Sequence, residues 1–153
     1  MQAGARRATE AKVPVEASGP AIGPHDPIIR LVKPDTITVD EKLTLRSISA
    51  VLSAATMGAA LVRRNGGLVG IVSERDVVHA LADDADPDTV WSADFMSEDL
   101  LSVESRDVIL RVAFRMLEEG IRHLAVTRDD QVIGLVSSRD VFAVLAEDAL
   151  AAG

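Results

Sequence analysis

The chain has no cysteine and no tyrosine, and only one tryptophan and three phenylalanines in 153 residues. Without thiols there are no disulfides and no thiolate metal sites. The redox compartment is then open, with the cytoplasm as the default expectation. With aromatics at 3%, Leu, Val, Ile and Ala have to supply the core. Positive charge is also short: 16 Lys and Arg stand against 24 Asp and Glu, a formal net charge of -8. A nucleic acid or an anionic membrane surface needs a basic face that displaces counterions, so neither is expected as a partner. No apolar run approaches the roughly 18 residues of a membrane span. Arg6-Arg7 is followed by Glu10, Lys12, Pro14 and Glu16 rather than by an apolar stretch, which excludes a twin-arginine export signal.

What is present is an internal repeat. Gly70-Ile71-Val72-Ser73-Glu74-Arg75-Asp76-Val77 returns 64 residues later as Gly134-Leu135-Val136-Ser137-Ser138-Arg139-Asp140-Val141. At that offset, with no gap, residues 27–85 lie over 91–149 with 14 identities in 59 positions. A duplication decides the fold before any local pattern does, and two copies of a unit imply two copies of its site. A repeat of this size alone would bury only about 60% of its unfolded surface, against about 70% for a fused pair, so the copies are expected to pack as one body.

The organisation follows. Residues 1–26, rich in Ala, Gly and Pro, predict a flexible leader. Each repeat (27–85 and 91–149) predicts strand, helix, strand, strand, helix, with an acidic linker over 86–90. A short apolar segment opens each copy, Pro27–Val32 and Trp91–Met96. A strand follows at Thr36–Val39 and Leu100–Val103, with Asp40 and Ser105 as expected helix N-caps. In the second copy Ile109, Val112, Ala113, Met116 and Leu117 make one apolar stripe, stopped by Gly120. Asn65-Gly66 and Asp129-Asp130 mark hairpin turns. The last helices start at Ser73 and Ser137 and run to about Leu81 and Leu145.

The shared octet puts a glycine and a strand end directly before a helix start. The hydroxyl and carboxylate of Ser73-x-x-Asp76 and Ser137-x-x-Asp140 fall on the first helical turn. There the N–H groups and the positive end of the helix dipole can hold an anion. A serine hydroxyl adds a donor, and an aspartate is a good acceptor for vicinal ribose hydroxyls. Gly70 and Gly134 would let a ligand approach the backbone. The same pattern is also a capping box, in which Ser and Asp satisfy each other's orphan N–H groups. Both uses can coexist. Arg75 and Arg139 either meet a phosphate, stay solvated or pair with a neighbouring carboxylate such as Glu74 or Asp76. His25 and His79 have no partner at ligand spacing, so no metal site is expected.

The repeat order with Gly-apolar-Val-Ser-x-Arg-Asp-Val resembles the cystathionine-beta-synthase (CBS) domain, and the chain is similar to a stand-alone bacterial CBS pair. The resemblance covers residues 27 to about 149. It implies tandem α/β (α+β) repeats packed with pseudo-twofold symmetry, frequently dimeric, with AMP, ADP, ATP or S-adenosylmethionine in clefts between repeats. The ribose-binding aspartate of the family falls on Asp76 and Asp140, and the neighbouring hydroxyl on Ser73 and Ser137. Adenine-lining positions fall on Thr36-Ile37-Thr38 and Leu100-Leu101-Ser102. A basic pair that reaches phosphates falls on Arg122 and His123. Two departures stand out: the family's Leu-Pro-Val strand lacks its proline in both copies, and Gly58-Ala59 replaces the basic pair in the first. A one-sided phosphate clamp, with one better site, is the expectation.

The resemblance therefore implies a cytoplasmic, homodimeric sensor of adenine-containing ligands that signals to an unidentified downstream protein. Catalysis is not expected, since no nucleophile stands with a base and no paired carboxylates stand out. The alternative is a ligand-free scaffold in which the Ser-x-x-Asp motifs only cap helices.

Overall fold

A computed structural model describes residues 20–33 and 35–153. They form two compact units, unit 1 of residues 35–100 and unit 2 of residues 20–33 with 101–153. Unit 1 contains β1 (Thr38–Asp40), α1 (Leu45–Ala54), β2 (Ala59–Arg64), β3 (Gly67–Ser73), α2 (Glu74–Ala82) and the short α3 (Ser92–Phe95). Unit 2 contains a 3-10 turn (Ile28–Leu31), β4 (Ser102–Glu104), α4 (Ile109–Glu119), β5 (His123–Arg128), β6 (Gln131–Ser137) and α5 (Ser138–Ala151). Each unit has a three-stranded sheet, β1-β2-β3 or β4-β5-β6, in which the first pair is parallel and the second antiparallel. This mixed α and β architecture is the expected class.

The repeat is visible in the cores. Val39, Leu45, Ile48, Leu52, Ala60, Val62, Val72, Val77 and Ala80 are buried in unit 1. Their repeat equivalents Val103, Ile109, Val112, Met116, Leu124, Val126, Val136, Val141 and Val144 are buried in unit 2. Aliphatic side chains fill both, as the scarcity of aromatics requires. The hairpins turn through two residues with positive φ, Asn65 (50°) with Gly66 (82°) and Asp129 (51°) with Asp130 (60°). Such a turn matches the twist of the strands it joins.

The segment that opens each sequence repeat packs in the unit built mainly from the other repeat. Ile28 is fully buried in the core of unit 2. Its N–H donates to the Asp107 carbonyl and that of Ile29 to Ser105, while Ile109 and Leu110 donate to the carbonyls of Asp26 and Pro24. Unit 1 reproduces the pattern: Ser92 and Ala93 donate to Leu43 and Glu41, and Leu45 and Arg46 to Val90 and Pro87. Buried Ser92 also satisfies its hydroxyl on the Leu43 carbonyl at 2.9 Å. Of the leader, residues 1–19 lie outside the described residues, whereas Pro24 and Asp26 are bonded into unit 2.

Several local expectations are corrected. Thr44, not Asp40, caps α1, accepting from the Ser47 N–H; Asp40 ends β1 and accepts from the Lys42 N–H. Val108, not Ser105, precedes α4, and Ser105 donates its N–H to Thr127. Both helices begin later because the chain first turns away from the parallel strand. Leu117 is exposed, so the buried stripe of α4 is Ile109, Val112, Ala113 and Met116. The strands begin at Thr38 and Ser102, and α5 continues beyond Leu145 to Ala151.

Candidate functional site

The two motifs sit where β3 runs into α2 and where β6 runs into α5. Both serines are extended N-caps whose Oγ accepts from the N–H of the aspartate three residues on, at 3.3 Å. The hydroxyl itself donates to that carboxylate, at 2.9 Å for Ser73–Asp76 and 3.1 Å for Ser137–Asp140. In unit 1 the carboxylate also accepts from the Ser73 N–H at 2.8 Å, completing a capping box. In unit 2 the second carboxylate oxygen of Asp140 instead lies 3.7 Å from Lys33 Nζ.

The helix starts are less open to an anion than the sequence suggests. The first helical N–H is taken by the chain: Glu74 donates to the Gly58 carbonyl (2.9 Å) and Ser138 to that of Arg122 (2.7 Å). A ligand at these motifs has to redirect the serine proton from its aspartate. The exposed Arg75 and Arg139 lie on the same first turns. Buried Gly70 does allow a close approach, but to the chain's own backbone. A Cβ there would stand 2.5 Å from the Ser97 carbonyl oxygen, because Ser97 pairs with Ile71 through two hydrogen bonds of 2.9 Å. Gly134 is buried within β6 opposite Val126.

Of the other expected site residues, strand pairing sets His123 beside a motif. Ala59 opposes Ser73, and its equivalent His123 opposes Ser137. Arg122 is exposed immediately before β5. Thr36 and Ile37 lead into β1, Thr38 is its first residue, and the Ile37 carbonyl accepts from Leu61 at 2.9 Å. Leu100 closes unit 1; Leu101 in unit 2 accepts from Ala125 at 3.0 Å, and the Ser102 carbonyl accepts from the Arg115 guanidinium.

Two participants carry no local sequence signal. Lys33 reaches Asp140 across more than a hundred residues of chain. With Asp140 it lines an open groove of about 340 Å³ whose other walls are Arg30, Leu31, Val32, Ala143, Val144 and Glu147. Glu74 folds its carboxyl over Gly58, where an added Cβ would stand 2.9 Å from Glu74 Cδ and Oε2. A resolved pKa perturbation lies away from the motifs: the exposed Asp88 carboxyl is held below its usual range by its bond to Arg46. Among the described residues no helix is long and apolar enough to cross a membrane, and no cluster of His, Asp and Glu has a metal-holding arrangement.

Comparison with known proteins places this geometry in a family. The family model described as the CBS domain matches residues 28–83 and again 92–147. An uncharacterized protein of Methanocaldococcus jannaschii is 26% identical over 125 residues, 81% of this chain; the chain spans 44% of that relative's length. Among solved structures, a CBS domain protein from Pyrobaculum aerophilum complexed with AMP is 27% identical with a TM-score of 0.69, covering 81% of this chain and 98% of that one. The CBS domain pair of protein MJ0100, complexed with 5'-methylthioadenosine and S-adenosyl-L-methionine, shares the fold at 20% identity and a TM-score of 0.72, with 81% and 98% covered. The curated relative is archaeal, so the similarity gives the family and not a bacterial source.

Proposed function

The chain belongs to the CBS domain family, and on that premise we propose that it is a non-catalytic regulatory module that binds an adenine-containing ligand. Its repeats, 27–85 and 91–149 joined by 86–90, would each contribute one motif. The observation that carries the reading is the paired occurrence of a serine hydroxyl and an aspartate on the first turn of α2 and of α5. Support comes from the relatives: one is complexed with AMP and one with phosphate-free adenine compounds. In this reading Asp76 and Asp140 take ribose hydroxyls, Ser73 and Ser137 turn toward the ligand, and the stretches at 36–38 and 100–102 line adenine. AMP, ADP, ATP and S-adenosylmethionine are the candidate ligands.

Regulation then works by linkage. A ligand that prefers one conformation shifts its population by no more than its differential affinity. A cytoplasmic homodimer that signals to a separate protein is the assembly we propose; exposed Phe114 and Leu117 on α4 supply an apolar face for the second copy.

A second reading is favoured by one observation: both serines spend their hydroxyl protons on their own aspartates. That is what a pure helix cap does, and it suits a ligand-free scaffold. Calorimetric titration of the intact protein with AMP, ADP, ATP and S-adenosylmethionine separates the two. Micromolar binding of any of them is expected. Silence across the panel, from folded protein free of co-purified ligand, overturns the sensor in favour of the scaffold.

A further inference from the structure

The two motifs share serine, arginine and aspartate but differ in every charged side chain placed around them. In unit 2 the Arg122 carbonyl takes the Ser138 N–H at 2.7 Å, His123 opposes Ser137, and Lys33 Nζ is 3.7 Å from Asp140. Arg139 lies on the same first turn as Asp140, and Arg122 stands immediately before β5. Of the other charged residues that line the same groove, Arg30 is paired with Asp26 at 2.8 Å and Glu147 contributes one carboxylate.

In unit 1 each of these positions has changed. Gly58 replaces Arg122, Ala59 replaces His123, Ser97 replaces Lys33 and Glu74 replaces Ser138. The Glu74 carboxyl lies against Gly58, in the space that an arginine side chain would leave from. There Arg75 is flanked in sequence by two acidic residues, Glu74 and Asp76, and Asp76 is held by the complete capping box.

We propose that the two motifs sort adenine ligands by charge: the motif of unit 2 takes the phosphate-bearing nucleotide, and that of unit 1 takes an uncharged or cationic adenine compound. Arg122 and Lys33 on one side and Glu74 on the other are the specificity-determining residues. The inference rests on the ligand-binding reading above and deepens it. A phosphate dianion gains from charge-assisted donors at Arg122 and Lys33 and is repelled by Glu74. A nucleoside presents the same ribose to either aspartate without that difference. The surface is open to solvent, so salt screens the preference over roughly 10 Å at ordinary ionic strength.

The test is calorimetry with AMP and with adenosine on the intact protein and on Asp140→Asn, Asp76→Asn and Arg122→Gln. Asp140→Asn is expected to weaken AMP more than adenosine, and Asp76→Asn to do the opposite. Arg122→Gln, at an exposed position, should weaken AMP about tenfold more than adenosine, the scale of one charge-assisted hydrogen bond. AMP affinity should fall with added salt while that of adenosine holds. The sorting is overturned, with the ligand-binding reading intact, if AMP follows Asp76 or if Arg122→Gln weakens both ligands alike. Silence of the intact protein toward both compounds overturns the ligand-binding reading and the sorting together.

Discussion

Ile28 and Ser92 occupy the same place in the repeat, and each is fully buried in its unit. Around them the two units place core residues at matching positions, yet unit 2 carries the larger side chains at several of them: Leu124 for Ala60, Val144 for Ala80, and Ile28 for Ser92. Unit 2 draws its opening segment in by apolar burial. Unit 1 holds its own with the same backbone donors as unit 2, and at that position adds the Ser92 hydroxyl on the Leu43 carbonyl in place of a buried apolar side chain. A duplicated fold thus keeps its backbone ladder while the chemistry that holds equivalent segments drifts from apolar to polar.

The sharpest way to break that comparison is to shorten both anchors. Ile28→Ala removes a fully buried side chain and leaves a cavity, for an expected loss of about 2–5 kcal/mol. Ser92→Ala removes one buried hydrogen bond while the Leu43 carbonyl keeps the Ser92 N–H, for about 1 kcal/mol. Urea denaturation of the two variants measures both. Equal losses would mean that burial at Ile28 contributes no more than the hydroxyl at Ser92, and the distinction between the segments would collapse.

The caps offer a comparison of smaller scale. Asp76 closes a reciprocal box with Ser73, whereas Asp140 divides its carboxylate between Ser137 and Lys33. Ser73→Ala and Ser137→Ala each remove the same two side-chain bonds and should cost about 1 kcal/mol alike, because the Ser73 N–H keeps its bond to Asp76 in the alanine variant. Thermal melts of the two single variants decide it; a larger loss at Ser137 would mean that Lys33 strengthens the second cap rather than competing for it.

These contrasts also show which features the sequence makes legible. The strand-helix-strand-strand-helix order, the two-residue hairpins, the Gly120 stop and the caps at Ser73 and Ser137 all follow from signals within a few residues of each other. The association of Ile28 with unit 2 does not, because the apolar segment reads the same whichever sheet it meets. Asp40 and Ser105 misled for a related reason: a capping residue type fits a turn as well as a helix start, and only the path of the chain decides. Gly70 looked like room for a ligand and proved to be room for Ser97, a contact fixed by tertiary pairing. Leu117 fits the helical stripe but lies at its edge, exposed. At the motifs, residue types were readable; the charge that Lys33 and Glu74 bring near them was not.

The hairpins give the smallest contrast. Both turns hold two residues at positive φ, but unit 1 uses Asn65-Gly66 and unit 2 uses Asp129-Asp130. Asp adopts the left-handed region more readily than most residues because its short side chain bonds locally, yet it still carries a Cβ that glycine lacks. Asp130→Gly relieves that strain, and the extra freedom glycine gains in the unfolded chain offsets part of the relief. The expected net gain is about 0.5 kcal/mol, a rise in melting temperature of about 1–2 °C for a protein of this size. The substitution also removes one of two adjacent carboxylates, so the gain should be largest at low ionic strength and shrink with salt to the backbone contribution alone. A melting temperature unchanged at high salt would show that repulsion between Asp129 and Asp130, rather than left-handed strain, is what separates the two turns.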